Sequence, residues 1–152
     1  PCGLLAEYNA ANNEHNYARQ LVAAAKQAMP DWDPKVIIDT GRNGNPGART
    51  DCATWCNPRD TLVGVWLGAE TLDPAVVDAY YWLKTPGESD GCTETLPSPG
   101  DEFVAAQPCP RFDRGCAAVD SIGTRVDEPF CPEAGAWFHY QVQMLAGTEP
   151  LQ

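Results

Sequence analysis

Apolar positions fall along this chain in helical and strand-like patterns, and each predicts an element. The opening PCGLLAEYNA places Leu4, Leu5 and Tyr8 as a short buried strand would have them. That is an unusual beginning, because chain ends are commonly frayed and polar. From Tyr17 the spacing changes. Tyr17, Leu21, Ala24 and Ala28 stand at i, i+4, i+7 and i+11, one stripe of an α-helix. Asn12 and Asn13 are candidate N-caps, since a carboxamide oxygen accepts from the free N–H groups of a first turn, and Pro30 closes the helix after Met29. KVIIDT then gives Val36, Ile37 and Ile38 as a continuous apolar run, the pattern of a strand buried on both faces. AVVDAYYWLK predicts a helical turn leading into a strand that ends near Lys84. Last, PEAGAWFHYQVQMLAG reads as a terminal helix. Pro132 would lie in its first turn, Glu133 at the positive end of its dipole and Gly147 at its C-cap.

Strand, helix, strand, loop, strand, loop and helix in that order predict an α/β fold with parallel strands, in a single region spanning 1–152. Two loops, near 40–60 and 85–131, exceed the usual connection length and follow the carboxyl ends of strands. Parallel α/β proteins place their sites there. YYWLKTPGESDGC, from Tyr80 to Cys92, crowds Lys84, Glu88 and Asp90 into one such turn. On the residues alone, these charges suit a solvated surface turn as readily as a site.

Charge narrows the partners. The formal net charge is −11, so nucleic acid and anionic membrane surfaces are not expected partners, whereas a neutral sugar polymer is compatible. No apolar run approaches the 18 or so residues that span a bilayer, and no signal peptide is present, so the chain reads as mature and not membrane-spanning. Seven cysteines, at 2, 52, 56, 92, 109, 116 and 131, accompany only two histidines, His15 and His139. Cys52 and Cys56 have no second tight pair to complete a zinc site. Disulfides in a secreted, extracellular protein are therefore expected, with at least one thiol free or paired with another chain and with no metal and no cofactor. Sequence alone does not choose the pairing.

IIDTGRNG, ATWCNPRDT, WLKTPGESDG, CPRFDRGC and PEAGAWFHYQVQML occur in that order, preceded by EYNA and NEHNYARQL. Together they resemble the carboxyl-terminal half of family 6 glycoside hydrolases, the inverting β-1,4-glucanases that include cellobiohydrolases II and related endoglucanases. The resemblance runs from about Ala6 to Leu145. It implies the carboxyl-terminal part of a distorted, incomplete parallel β/α barrel with long disulfide-tied loops. A groove over the carboxyl-end face would hold a β-glucan chain or cello-oligosaccharide. The family's catalytic acid, an Asp, lies in the amino-terminal half, and these 152 residues contain no counterpart of it. An amino-terminal half or partner chain completing the barrel is therefore expected.

The resemblance also implies roles for single residues. Asp90 matches the candidate base, Lys84 and Glu88 the substrate-binding pair of the same loop, and Trp55 a ring that stacks on a glucosyl unit. Arg42 matches an arginine that supports the catalytic carboxylates, with a structural ion pair as the plain alternative. Cys56 and Cys116 match a disulfide joining the two site loops; the other five cysteines are not explained by the resemblance, a Cys92–Cys109 staple of the insertion between them being one option while Cys2, Cys52 and Cys131 stay open. The family loop reads K-P-G-G-E-x-D-G and this chain K-T-P-G-E-S-D-G, so its proline is shifted by one and a glycine is lost. Glu7 stands where the family carries Asn. Two other readings differ in class. One is a non-catalytic extracellular glucan-binding or structural protein on a degenerate hydrolase fold, and the other a disulfide-rich interaction domain without a glycan role. Retention of Arg42, Trp55, Lys84, Glu88 and Asp90 together speaks against the second of these.

Overall fold

A computed structural model describes residues 9–51, 53–92, 113–125, 127–129 and 131–147. The strand expected at Leu4, Leu5 and Tyr8, together with Cys2, Glu7, Cys52 and Cys109, lies outside the described residues.

Helix α1 spans Glu14–Ala28. Its cap is the expected one: Asn13 is extended, and its side chain accepts the Asn16 N–H at 2.8 Å. Glu14 in the first turn and Lys26 in the last complement the helix dipole. The buried stripe, however, is not the expected one. Ala18 and Val22 face inward, while Tyr17, Leu21, Ala24 and Ala28 are exposed. Tyr17 and Leu21 instead border an open cavity of about 480 Å³ that Val36, Ile37 and Ile38 also line.

Strands β1 (Val36–Asp39) and β2 (Val77–Tyr81) pair in parallel, with Val36 opposite Val77, Ile38 opposite Tyr80 and Asp39 opposite Tyr81. The register slips between Val36 and Ile37. The α/β expectation thus holds. Burial on both faces of β1 does not: Ile38 is buried, but Ile37 is 57% exposed toward the cavity. Alternating burial is what the pleat gives when one face has no cover. The covered face carries the core, in which Ala18 of α1 meets Ile38, Val77 and Tyr80, with Val36, Ala69 and Val76 around them.

The terminal helix is shorter than its pattern predicts. Helix α2 spans His139–Leu145, so Pro132 and Glu133 lie outside it. The reason is competition for backbone partners. Gly135 N–H donates to Ser89 O, Ser89 N–H to Ala136 O, and Phe138 N–H to Gly87 O, while Glu88 bridges Trp137 in antiparallel fashion. Residues 132–138 are thereby spent on holding the loop that follows β2. Gly147, in the left-handed conformation at φ 72°, ends α2 as expected. A second cluster, Ile122, Cys131 and Phe138 with Tyr140 and Met144, supports this end of the molecule. Among the described residues, no helix is long and apolar enough to cross a membrane.

Candidate active site

The carboxyl ends of β1 and β2 are tied together by Asp39. Its Oδ1 accepts the Gly41 N–H at 2.9 Å and its Oδ2 accepts the Lys84 N–H at 3.1 Å. A side chain at position 41 would meet the Lys84 carbonyl oxygen at 2.6 Å, so glycine permits this backbone approach. The turn that follows places Pro86 and Gly87 at its centre and closes with Glu88 N–H donating to Thr85 O at 3.1 Å. Gly87 has φ 88°, as a type II turn requires after proline, and a Cβ there would lie 2.2 Å from Val142 Cγ2. The displaced proline of this loop therefore builds a closed turn, and Glu88 and Asp90 emerge from it beside Lys84.

These residues form one cluster. Arg42 Nη1 donates to Asp90 Oδ2 at 2.5 Å. Lys84 Nζ lies 3.2 Å from Asp90 Oδ1 and donates to Glu88 Oε1 at 3.0 Å. The Asp90 side chain is only 9% exposed, whereas that of Glu88 is 40% exposed and open to a ligand. Two cations facing two carboxylates leave the cluster close to neutral. Its free donors and acceptors can then grip hydroxyl groups by charge-assisted hydrogen bonds.

Trp55 is carried by the loop whose Asn57 bonds Asp90. It is 48% exposed, and a Cβ at Gly115 would lie 2.6 Å from its indole Nε1, so one side of the ring rests on the Gly115 backbone. The neighbouring residues, Cys56 and Cys116, form a disulfide. A Cβ at Gly91 would meet Cys116 Sγ at 2.8 Å, which places the bridge directly behind the residue after Asp90. The Cys56–Cys116 pair thus joins the loop of Trp55 to the segment of Gly115 and packs against the acid loop. Cys92 is disulfide-bonded as well, and its candidate partner Cys109 lies outside the described residues. Among the described residues Cys131 is a free thiol, buried against the Ile122 carbonyl oxygen, and burial pushes it up to about 12. Among the described residues no group of histidine, cysteine and carboxylate side chains could hold a metal ion.

Two features escaped the sequence pattern. Asn57, fully buried with φ 39°, donates its backbone N–H to Asp90 Oδ2 at 2.8 Å and accepts the Asp90 N–H on its own Oδ1 at 2.8 Å. The Asn-Pro dipeptide was its signal, because Asn tolerates positive φ and turns commonly start there. The second feature is a buried ion pair. Glu128 accepts from Arg59 Nε and, at 2.6 Å, from Arg59 Nη2. Burial works against the Arg59 charge, but the Glu128 carboxylate more than offsets it and holds the guanidinium above its ordinary range. Arg59 also donates to the carbonyl oxygens of Val119 and Ser121. Together with the Pro58–Ser121 bridge, these bonds fasten the 119–128 segment to the loop that carries Trp55 and Asn57.

Comparison with known proteins finds relatives along nearly the whole chain. The profile of glycosyl hydrolases family 6 matches residues 2–149. A probable 1,4-β-D-glucan cellobiohydrolase C of Aspergillus clavatus is 34% identical over 140 residues, covering 91% of this chain and 26% of the relative. The crystal structure of CcCel6C, a glycoside hydrolase family 6 enzyme from Coprinopsis cinerea, superposes with a TM-score of 0.70 at 33% identity, over 96% of this chain and 35% of that one. The CcCel6A catalytic domain complexed with p-nitrophenyl β-D-cellotrioside gives a TM-score of 0.67 at 29% identity, over 90% and 32%. The chain thus spans about a quarter to a third of the proteins it matches.

Proposed function

Because the chain belongs to glycosyl hydrolase family 6, we propose that it forms one wall of the cleft of a secreted, inverting β-1,4-glucan hydrolase. The barrel and the acid Asp would be completed by an amino-terminal half. The observation that carries this reading is the Arg42–Asp90–Lys84–Glu88 cluster, together with a half-exposed Trp55 on a loop held by Cys56–Cys116. Inversion needs one carboxyl group to protonate the leaving oxygen and another to take a proton from water on the opposite face, about 6.5–9.5 Å away. Asp90 would serve on the water side, Lys84 and Glu88 would hold sugar hydroxyls, and Trp55 would carry the apolar face of a glucosyl ring. A bound cellotrioside derivative in the related CcCel6A domain supports the substrate class. The disulfide supports an oxidising compartment.

The test uses the complete encoded protein on a soluble β-glucan. Turnover is expected, with the α-anomer as the first product by proton NMR and with a loss of activity in Asp90→Ala. Unchanged turnover in that variant removes the base assignment. Oligosaccharide binding without turnover in the wild-type protein returns the chain to the non-catalytic reading.

A further inference from the structure

We infer that Asn57, braced by Gln141, is the positioning residue that decides which oxygen of Asp90 can take a proton, an inference that rests on the hydrolase reading above. The two oxygens of Asp90 have different surroundings. Oδ2 accepts from Arg42 Nη1 at 2.5 Å and from the Asn57 backbone N–H at 2.8 Å. With two donors, its lone pairs are occupied. Among the described residues, Oδ1 faces only Lys84 Nζ, at 3.2 Å. One acceptor direction therefore stays open on Oδ1, and that is the atom to which a water proton would go.

Asn57 maintains this difference by gripping Asp90 at both ends. Its backbone N–H holds Oδ2, and its side-chain Oδ1 holds the Asp90 N–H. Its amide donates onward to the Gly91 carbonyl oxygen at 2.7 Å and to Ser89 Oγ at 3.2 Å, so residues 89–91 are fixed as one piece. Gln141 of α2 stands behind it, fully buried, with Nε2 3.4 Å from Asn57 Oδ1. The Gln141 Oε1 has no hydrogen-bond partner among the described residues. A buried amide oxygen left this way is unfavourable. Flipping the amide would not relieve it, because Oε1 would then face the acceptor Oδ1 of Asn57. The orphan oxygen is thus the cost of presenting a donor to Asn57.

The experiment compares wild type, Asn57→Ala and Gln141→Met in the complete protein, the methionine conserving volume. Steady-state kinetics on a soluble β-glucan are normalised to the binding stoichiometry for cellotetraose by titration calorimetry, so a merely unfolded fraction drops out. Crystal structures locate the Asp90 carboxylate. Displacing a reacting group by an ångström costs about 100-fold. A kcat loss of about that size is expected in Asn57→Ala and about tenfold in Gln141→Met, with KM and oligosaccharide affinity within about twofold of wild type. Asn57→Ala keeps the backbone N–H to Oδ2 but removes the acceptor of the Asp90 N–H and the donor to Gly91, so residues 89–91 should shift and carry the carboxylate with them. An unchanged normalised kcat in either variant overturns the inference. So does a carboxylate that stays within about 0.5 Å of its place in Asn57→Ala. A wild-type protein without turnover refutes the hydrolase reading alone, and the Asp90 position then decides this one.

Discussion

Replacing Glu128 by Gln tests how the two site loops are held together. The substitution keeps volume and shape, so its effect isolates charge and hydrogen bonding from cavity formation. In the native protein Oε2 accepts three donors, Arg59 Nη2 at 2.6 Å, Gly123 N–H at 2.8 Å and Arg125 N–H at 3.3 Å, while Oε1 accepts Arg59 Nε. A carboxamide must turn its NH₂ toward one of these sets, so donor meets donor. The Arg59 charge, whose side chain is 4% exposed, then lacks its counter-ion. Breaking a buried pair from one side costs about 3–5 kcal/mol. The assay is equilibrium urea unfolding followed by tryptophan fluorescence, with the loss read from the midpoint at unchanged m-value. Asp33→Asn is the control. The Lys26–Asp33 pair is short, at 2.6 Å, but exposed, and exposed pairs contribute little. If Glu128→Gln moves the midpoint no further than Asp33→Asn does, burial is not what gives the Arg59–Glu128 pair its strength, and the argument fails.

Other outcomes follow from the same geometry. Gly115→Val should displace the Trp55 ring and weaken cello-oligosaccharide binding as much as Trp55→Ala does, roughly 2- to 10-fold for an aromatic contact of about 0.5–1.5 kcal/mol. Calorimetric titration of both single variants and the double should show no additivity. Asp120 is held below the ordinary carboxylate range by hydrogen bonds from Thr50 Oγ1 and from the Thr50 and Asp51 N–H groups. Its contribution is therefore complete above the unfolded value and lost as pH falls below about 4. The stability gap between wild type and Asp120→Asn should be flat at pH 5–7 and shrink in acid, and a gap that widened in acid would reverse the assignment. Cys131, pushed up to about 12 by burial, should resist iodoacetamide at pH 8 until the protein is unfolded. Mass spectrometry showing native-state labelling at the unfolded rate would contradict its burial.

Local signals in the sequence were read well. The Asn13 cap, the β1 run at Val36–Ile38, the left-handed stop at Gly147 and the Lys84–Glu88–Asp90 spacing all depend on neighbours within a few residues. The failures are non-local. Pro132 and Glu133 carry good helix-start chemistry, but the Ser89 and Gly87 backbone, more than 40 positions away, takes their segment for pairing. Asn57 meets Asp90 across 33 positions and Arg59 meets Glu128 across 69, distances at which periodicity says nothing. The buried face of α1 was displaced by one residue because Tyr17 and Leu21 line an open cavity rather than a core.

The Cys56–Cys116 bridge turns the intervening chain into a covalent ring, and that ring contains β2, Lys84, Glu88 and Asp90. Closing a loop across 60 positions restricts the unfolded chain by about 4 kcal/mol in the chain-entropy treatment. The ring also changes what a protease can do. One cut anywhere between the two cysteines opens the circle without detaching a segment, so every member of the cluster stays on a single covalent frame. Such a nicked protein would stay one covalent molecule until reduced, and after a cut between residues 57 and 84 reduction would part the acid loop from the loop that carries Trp55.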